Sequence, residues 1–297
     1  MQLPDFLIIG AMKAGTTTLY HDLLTNPCVF FPADKEPGNL AVDDVLTEAG
    51  RRRYASMFKA ARSDQICGEA STAYTKLPDI RGVPERARRV LGTQLKVIYV
   101  IREPVSRIIS QHDHEHVYEN MGADINQAVR ESDPLINYSL YAMQIEPWLE
   151  RLGPDRVRII HFESYVEDRR RTVSSICEYL GIAPRPELVK PDDVFNPGDA
   201  APAAAGLVWR MTKSRWYRKG VRPLLPMGLK SRLRAALLPK GPPRPDPPTL
   251  RTVDYIIERI QDDSERLRQL MGRSAPLWDF DAVRRCFLDS AVPDGGG

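Results

Sequence analysis

The first thirty residues constrain the fold more than any other stretch. Phe6-Leu7-Ile8-Ile9-Gly10 is an uninterrupted apolar run that closes on glycine. A short run of this kind, ended by a turn signal, reads as a strand buried on both faces. Thr16 to Leu24 has helical character and stops at Asn26-Pro27. Strand, glycine-bearing turn and helix in that order aim the backbone N–H groups of the turn and of the helix start at one spot. Such a spot binds anions.

The connecting loop is Gly10-Ala11-Met12-Lys13-Ala14-Gly15-Thr16-Thr17. Its glycine spacing is that of a nucleoside triphosphate loop, with one displacement. A nucleotide-triphosphate loop places lysine directly after the second glycine, then Ser or Thr for magnesium. Here Thr16 takes the lysine position and the lysine lies inside the loop, at Lys13. The cradle suits phosphate without the usual metal arrangement.

Strands and helices then alternate. Gln65–Glu69 is a weak strand, Lys96–Ile101 (KVIYVI) the strongest in the chain, and Val157–Phe162 (VRIIHF) another. Pro104 suits a first helical turn, which Val105–Glu119 continues. Further helices are predicted over Asn137–Leu152 and through Thr172–Leu180. This order predicts an α/β fold: a P-loop-like three-layer sandwich with a central, mainly parallel sheet flanked by helices. After Pro184 the composition changes. Residues 196–206 are a Pro, Ala and Gly loop, 207–238 are basic with interspersed Leu, Trp and Met, and Lys240–Pro248 is a proline-dense connector. Leu250–Met271 is an amphipathic helix with Val253, Ile256, Ile257, Ile260, Leu267 and Leu270 on one stripe.

Charge and cysteine usage bound the function. Lys and Arg total 42 against 39 Asp and Glu, a net charge of +3. That balance argues against a nucleic-acid partner. Cys28, Cys67, Cys177 and Cys286 stand far apart with no metal-ligand spacing. They read as reduced thiols of a cytoplasmic protein. No basic start precedes a long apolar stretch, so neither a signal peptide nor a membrane span is expected, and a soluble protein is. His112 and His116 share a helical face and His114 points away. No carboxylate or cysteine completes a metal set. His112, close after Ser110, can instead face an acceptor or be plain structure. The basic 209–234 stretch reads as a solvated cover over a cleft in preference to a surface for anionic membranes.

Pro4 through Thr17 resembles the 5′-phosphosulfate loop of sulfotransferases that use 3′-phosphoadenosine 5′-phosphosulfate (PAPS). It is closest in flavour to the carbohydrate branch, which includes heparan sulfate sulfotransferases and many bacterial relatives. The resemblance implies PAPS as co-substrate, no metal, and a 5′ site made by Lys13, Ala14, Gly15, Thr16, Thr17 and Thr18. It gives Lys13 the further role of bridging to the leaving phosphate as charge develops there. Arg102, at the end of the strongest strand, and Ser110, eight residues on, resemble the family's 3′-phosphate pair. A guanidinium fork suits a phosphate dianion. Arg107 is expected in a structural ion pair.

Asp34-Lys35-Glu36-Pro37 sits where the carbohydrate branch carries its catalytic glutamate. Glu36 is therefore implied as general base, the alternative being an exposed loop acid, with Lys35 as a solvated neighbour. Gly68–Tyr74 occupies the place of a Glu-Lys-Thr-Pro-Ala-Tyr segment, with Ala70 at the lysine position. A second catalytic lysine is thus missing, which weighs against heparan sulfate as the acceptor. Ser71 or Thr72 either lines the pocket or caps the strand end. Ser139 and Tyr141 are weak site candidates, while Leu140 and Trp148 read as packing. Lys240-Gly241 resembles the loop that closes over PAPS, with Arg244 as an extra, and Leu267–Trp278 resembles the family's closing segment.

The chain is therefore expected to be a single sulfotransferase domain over 1–297. Its core is 4–180 with the donor site, its variable basic cover 190–248, its closing helix 249–279, and 293–297 a frayed tail. The implied reaction is direct in-line transfer of a sulfuryl group from PAPS to a hydroxyl of a carbohydrate, glycolipid or secondary metabolite. The partner is a small-molecule or glycan acceptor. A small-molecule kinase using Mg-ATP is the alternative, and a non-catalytic nucleotide-binding protein a third reading. High Arg, Ala and Pro usage hints at a bacterial source.

Overall fold

The two most apolar runs of the chain lie side by side at the centre of the sheet. The computed structural model describes residues 2–119, 121–193 and 245–289. Strand β1 (Phe6–Gly10) is buried along its whole length, and β4 (Lys96–Ile101) is buried from Val97 onward. Apolar side chains on both faces are what a parallel strand needs when helices cover it twice. With β2 (Val29–Phe30), β3 (Ile66–Ala70) and β5 (Val157–His161) they form one sheet in the order β2-β3-β1-β4-β5. Every pairing is parallel, with Leu7 opposite Glu69 on one side and Val97 on the other. Edge strand β5 is only half-buried.

Helix α1 (Thr16–Leu24) links β1 towards β2, and α2 (Glu48–Ser56) precedes β3. Helix α3 (Val83–Leu91) carries the chain from β3 across β1 to β4. Between β4 and β5 come α4 (Pro104–Tyr118), α5 (Ile125–Glu131), α6 (Asp133–Asn137) and α7 (Tyr141–Leu152). After β5 follow α8 (Phe162–Glu167), α9 (Arg169–Leu180), α10 (Leu250–Leu270) and α11 (Phe280–Asp289). Right-handed crossovers that run in opposite directions along the sheet, β1 to β2 and β3 to β4, place their helices on opposite faces. Accordingly α1 packs with α9, and α3 packs with α7, which in turn meets α10. The expected three-layer sandwich is the observed architecture. Its strand order reverses at β1, so the crevice beyond the carboxyl end of β1 is the place where such sheets bind ligands.

Several boundaries differ from expectation for physical reasons. The helix expected over 137–152 is α7, which starts later, at Tyr141; Asn137 ends α6, and Ser139 in the turn between them is taken up by Arg107. On α10, Val253, Ile256, Ile257 and Ile260 pack into a second core with Val105 and Ile108 of α4 and with α5 and α6. Leu267 instead joins the main core. Leu270, expected on the same stripe, is exposed at the helix end. Helix α1 is fastened to α9 by a buried ion pair, Asp22 to Arg169 at 2.6 Å, and Tyr165 donates to the same carboxylate.

Candidate active site

The loop between β1 and α1 is shaped by two left-handed residues. Lys13 has φ 67° and Gly15 φ 86°. Gly15 is the residue before α1, and no side chain caps that helix, nor does its first turn carry an acid. The open N–H groups at its start remain directed at the crevice, with Thr16, Thr17 and Thr18 on the first turn. A methyl group on Gly15 would lie 2.7 Å from two carbons of the Phe162 ring. Glycine is thus required there both for φ and for space. Lys13 is half-buried. Burial, then the Arg102 guanidinium, pushes its ammonium pKa down, and Asp113 opposes the shift.

Arg102 leaves the end of β4 and reaches back to this loop. Its Nη1 donates to the Lys13 carbonyl at 3.3 Å, and its guanidinium lies over the Phe162 ring, 5.0 Å from the centroid. The backbone around it is held by Tyr141, whose hydroxyl donates to the Arg102 carbonyl at 2.7 Å. Glu103 caps α4 by accepting from the N–H groups of Val105 and Ser106, both at 2.7 Å. Pro104 takes the first helical position, as expected. Ser110 is half-buried two turns along α4, and no hydrogen bond within the described residues engages its hydroxyl.

Arg107 corrects the sequence reading. It forms no ion pair among the described residues. Fully buried, it donates to Ser139 Oγ, to Gln111 Oε1 at 2.7 Å, and to the carbonyls of Leu135 at 2.8 Å and Met12 at 3.4 Å. Five N–H groups in a fork can satisfy this many acceptors where lysine cannot. Arg102 and Arg107 therefore grip consecutive carbonyls of the lysine loop. Ser139 and Tyr141 act through these arginines. Tyr141 is completely buried, and Leu140 and Trp148 pack as expected.

Glu36 stands on the other side of β1. Its backbone is left-handed, φ 62°, and its N–H donates to the Ala70 carbonyl at 2.9 Å. Its Oε2 accepts from the Thr72 N–H at 2.6 Å and from the Thr72 hydroxyl at 3.1 Å. The side chain is 39% exposed, so the carboxylate is both anchored and open to an acceptor. Lys35, read as a solvated neighbour, is instead ion-paired to Glu36 Oε1 and only 21% exposed. Thr72 thus holds the carboxylate. Ser71 is buried and bonds to Glu69, whose carboxylate also accepts from Tyr54 and Tyr74. Burial pushes Glu69 up while those three hydroxyl donors pull it down, and the net direction is up.

Other expectations resolve differently. His112 is buried and bonds through Nε2 to the Gly122 carbonyl at 2.9 Å, and His116 bonds to Met121 at 2.8 Å. Both fasten the segment after α4, so His112 does not face an acceptor. No group of His, Cys, Asp and Glu suited to a metal ion occurs among the described residues. Lys240, Gly241, Arg244 and the basic 209–234 stretch lie outside the described residues. Phe162 and Glu69 are not among the expected site residues, and Arg107 is expected in an ion pair and not on the lysine loop. An arginine set between Val105 and Ile108 in one helical stretch is the sequence signal for Arg107. Phe162 and Glu69 show their roles only through tertiary contact.

The lysine loop, the arginine at the end of β4 and the anchored carboxylate beyond β3 thus surround one crevice. Comparison with known proteins supplies its context. The family model described as "Sulfotransferase domain" matches residues 3–192. A mouse (Mus musculus) protein, heparan sulfate glucosamine 3-O-sulfotransferase 3B1, is 26% identical over 193 residues, covering 61% of this chain and 47% of that protein. Mouse carbohydrate sulfotransferase 15 is 24% identical over 281 residues, covering 71% and 50%. The chain spans about half the length of these relatives. A crystal structure of a sulfotransferase from Alicyclobacillus acidocaldarius shares the fold, with TM-score 0.58 and 19% identity over 96% of this chain and 100% of that one.

Proposed function

The chain belongs to the sulfotransferase domain family, and on that premise we propose that it moves a sulfuryl group from PAPS to an acceptor hydroxyl by direct in-line transfer. The observation that carries the reading is the contact of Arg102 with the Lys13 carbonyl. It joins a 5′-phosphate loop to a second cation suited to the 3′-phosphate, across the central pair of strands. The donor site is assigned to Lys13, Ala14, Gly15, Thr16, Thr17, Thr18, Arg102 and Ser110, with Lys240 and Gly241 added from sequence alone.

Glu36 takes the acceptor's hydroxyl proton. As it does so, the acceptor oxygen bonds to sulfur, and the bond from sulfur to the 5′-phosphate oxygen breaks. The leaving nucleotide keeps that electron pair, and the Lys13 ammonium and the α1 N–H groups stabilise the charge. No magnesium is needed for this sequence of events. The acceptor is assigned to the class of carbohydrates, glycolipids or secondary metabolites; alanine at position 70, where heparan sulfate enzymes carry a catalytic lysine, weighs against heparan sulfate itself. We place the protein in a bacterial cytoplasm. No disulfide joins Cys28, Cys67, Cys177 or Cys286, and no helix of the described residues is long and apolar enough to cross a membrane.

Incubation with [35S]PAPS and an acceptor panel tests the reading. Label transfer in the wild type, reduced at least ~10²-fold in Lys13→Ala and in Glu36→Gln, is expected. Phosphoryl transfer from Mg-ATP in its place would make the protein a kinase and overturn it. Normal turnover in Glu36→Gln would remove Glu36 as the base.

A further inference from the structure

The proposed base sits on a loop that two buried hydroxyls hold by its backbone. Gly38 N–H donates to Ser71 Oγ at 3.0 Å, and Leu40 N–H donates to the Tyr74 hydroxyl at 3.1 Å. Glu36 and Gly38 are both left-handed, with φ 62° and 65°. A non-glycine residue in that region is strained, and it persists only where surrounding contacts over-determine it. The contacts here fall on alternate residues: 36 to Ala70, 38 to Ser71, 40 to Tyr74.

Each holding hydroxyl has a single proton, and both protons go to one carboxylate. Ser71 donates to Glu69 Oε1 at 3.0 Å, and Tyr74 donates to the same oxygen. With their protons committed to Glu69, the lone pairs of Ser71 and Tyr74 must face the loop N–H groups. Tyr54 donates to the other oxygen, Oε2, and no hydrogen bond runs from Tyr54 to the 36–40 loop. Glu69 is fully buried with no cationic partner among the described residues, a costly placement that needs a reason.

We propose that Glu69 is a positioning residue for Glu36, acting through the hydroxyls of Ser71 and Tyr74 to hold the 36–40 loop in its strained, catalytically aimed conformation. This rests on Glu36 being the base. A carboxylate accepts all three hydroxyl protons. An amide keeps its oxygen on Ser71 and Tyr74 only by turning its NH2 to Tyr54, and an aliphatic side chain accepts from none of them.

The two tyrosines make the test. Tyr54→Phe and Tyr74→Phe each remove one hydroxyl from the same carboxylate, but only Tyr74 reaches the loop. Hydrogen exchange of residues 34–42 reads the hold directly. Turnover is read with [35S]PAPS and p-nitrophenyl monosaccharides, with release of sulfate to water as the acceptor-free signal. Tyr74→Phe and Ser71→Ala are expected to speed exchange at 34–42 about tenfold or more. They should lower kcat on the order of 10- to 10²-fold and leave the affinity for adenosine 3′,5′-bisphosphate unchanged. Tyr54→Phe should lose comparable thermal stability, yet keep kcat and loop exchange within about twofold of wild type. Glu69→Leu, which leaves both holding hydroxyls without their acceptor, should match the Tyr74 and Ser71 variants, whereas Glu69→Gln, with its NH2 turned to Tyr54, should resemble Tyr54→Phe. Equal effects from all three hydroxyl deletions, or none, overturn the positioning role. Wild-type turnover in Glu36→Gln overturns the base assignment instead, so the two failures are distinct.

Discussion

Replacing Gly15 with alanine tests whether the phosphate loop and the Arg102 arm are one mechanical unit. The new methyl group would sit 2.7 Å from Cδ2 and Cε2 of Phe162, well inside carbon–carbon contact distance. The backbone there is left-handed, φ 86°, which costs an L-residue roughly 1–2 kcal/mol. Forcing an extra methyl into a packed site costs a further ~1–3 kcal/mol. The expected loss of stability is therefore about 2–5 kcal/mol, measured by urea unfolding. A ring displaced away from the loop carries with it the contact to the Arg102 guanidinium, which rests 5.0 Å from its centroid. Loss of one charge-assisted bond to the 3′-phosphate, ~1.5–3 kcal/mol, should weaken adenosine 3′,5′-bisphosphate about 10- to 10²-fold by calorimetry. Combining Gly15→Ala with Phe162→Ala removes the clash and leaves the backbone strain. The pair should be less destabilised than the sum of the singles by the clash part, about 1–3 kcal/mol. A Gly15→Ala protein within about 0.5 kcal/mol of wild type, or additive single and double variants, would refute this coupling.

Three further outcomes are expected. Arg102→Ala should weaken adenosine 3′,5′-bisphosphate by about 2–3 kcal/mol while leaving AMP binding nearly unchanged, since AMP lacks the group that Arg102 is assigned to bind. Glu36→Gln should retain wild-type nucleotide affinity in the same titration, separating chemistry from binding. Asp263 carries a pH signature. It accepts the N–H groups of Ala142 and Met143 at 2.8 and 2.9 Å, yet burial raises its carboxyl from 3.8 to about 6. The fold holds this proton more tightly than the unfolded chain does. Its contribution is therefore complete below pH 3.8 and is lost as pH rises through about 6, amounting to about 3 kcal/mol. The stability of wild type relative to Asp263→Asn should fall by about 2 kcal/mol between pH 4 and pH 7 in urea unfolding, and a flat difference would contradict the assignment.

What was legible in the sequence follows from how local each signal is. Strands β1 and β4 announce themselves because a strand covered on both faces must be apolar throughout. The starts of α1 and α4 are encoded within a few residues, by Gly15 and by Glu103-Pro104. Helices α2 and α3 give weaker local signals because each is only nine residues long, and their sequences, EAGRRRYAS and VPERARRVL, each hold three arginines. β2 is two residues long and gains its identity only by pairing with β3. In the site, Lys13, Arg102 and Glu36 stood out through motif resemblance. What holds them did not. Arg107 meets Met12 across 95 positions of sequence, and Tyr141 meets Arg102 across 39. The Glu69 cluster is nearer in sequence, but its hydroxyls matter only because β3 and the 36–40 loop come together. A buried polar residue shows its purpose only when its partners are known.

The central claim, that the crevice binds a donor carrying both a 5′ and a 3′ phosphate, is tested most directly by calorimetric titration of the intact chain. Adenosine 3′,5′-bisphosphate should bind about 10²-fold or more tightly than AMP, with no requirement for magnesium. At ~100 times its dissociation constant it should stabilise the protein by about 2.7 kcal/mol. Binding of Mg-ATP or AMP as tight as that of the bisphosphate would contradict the account.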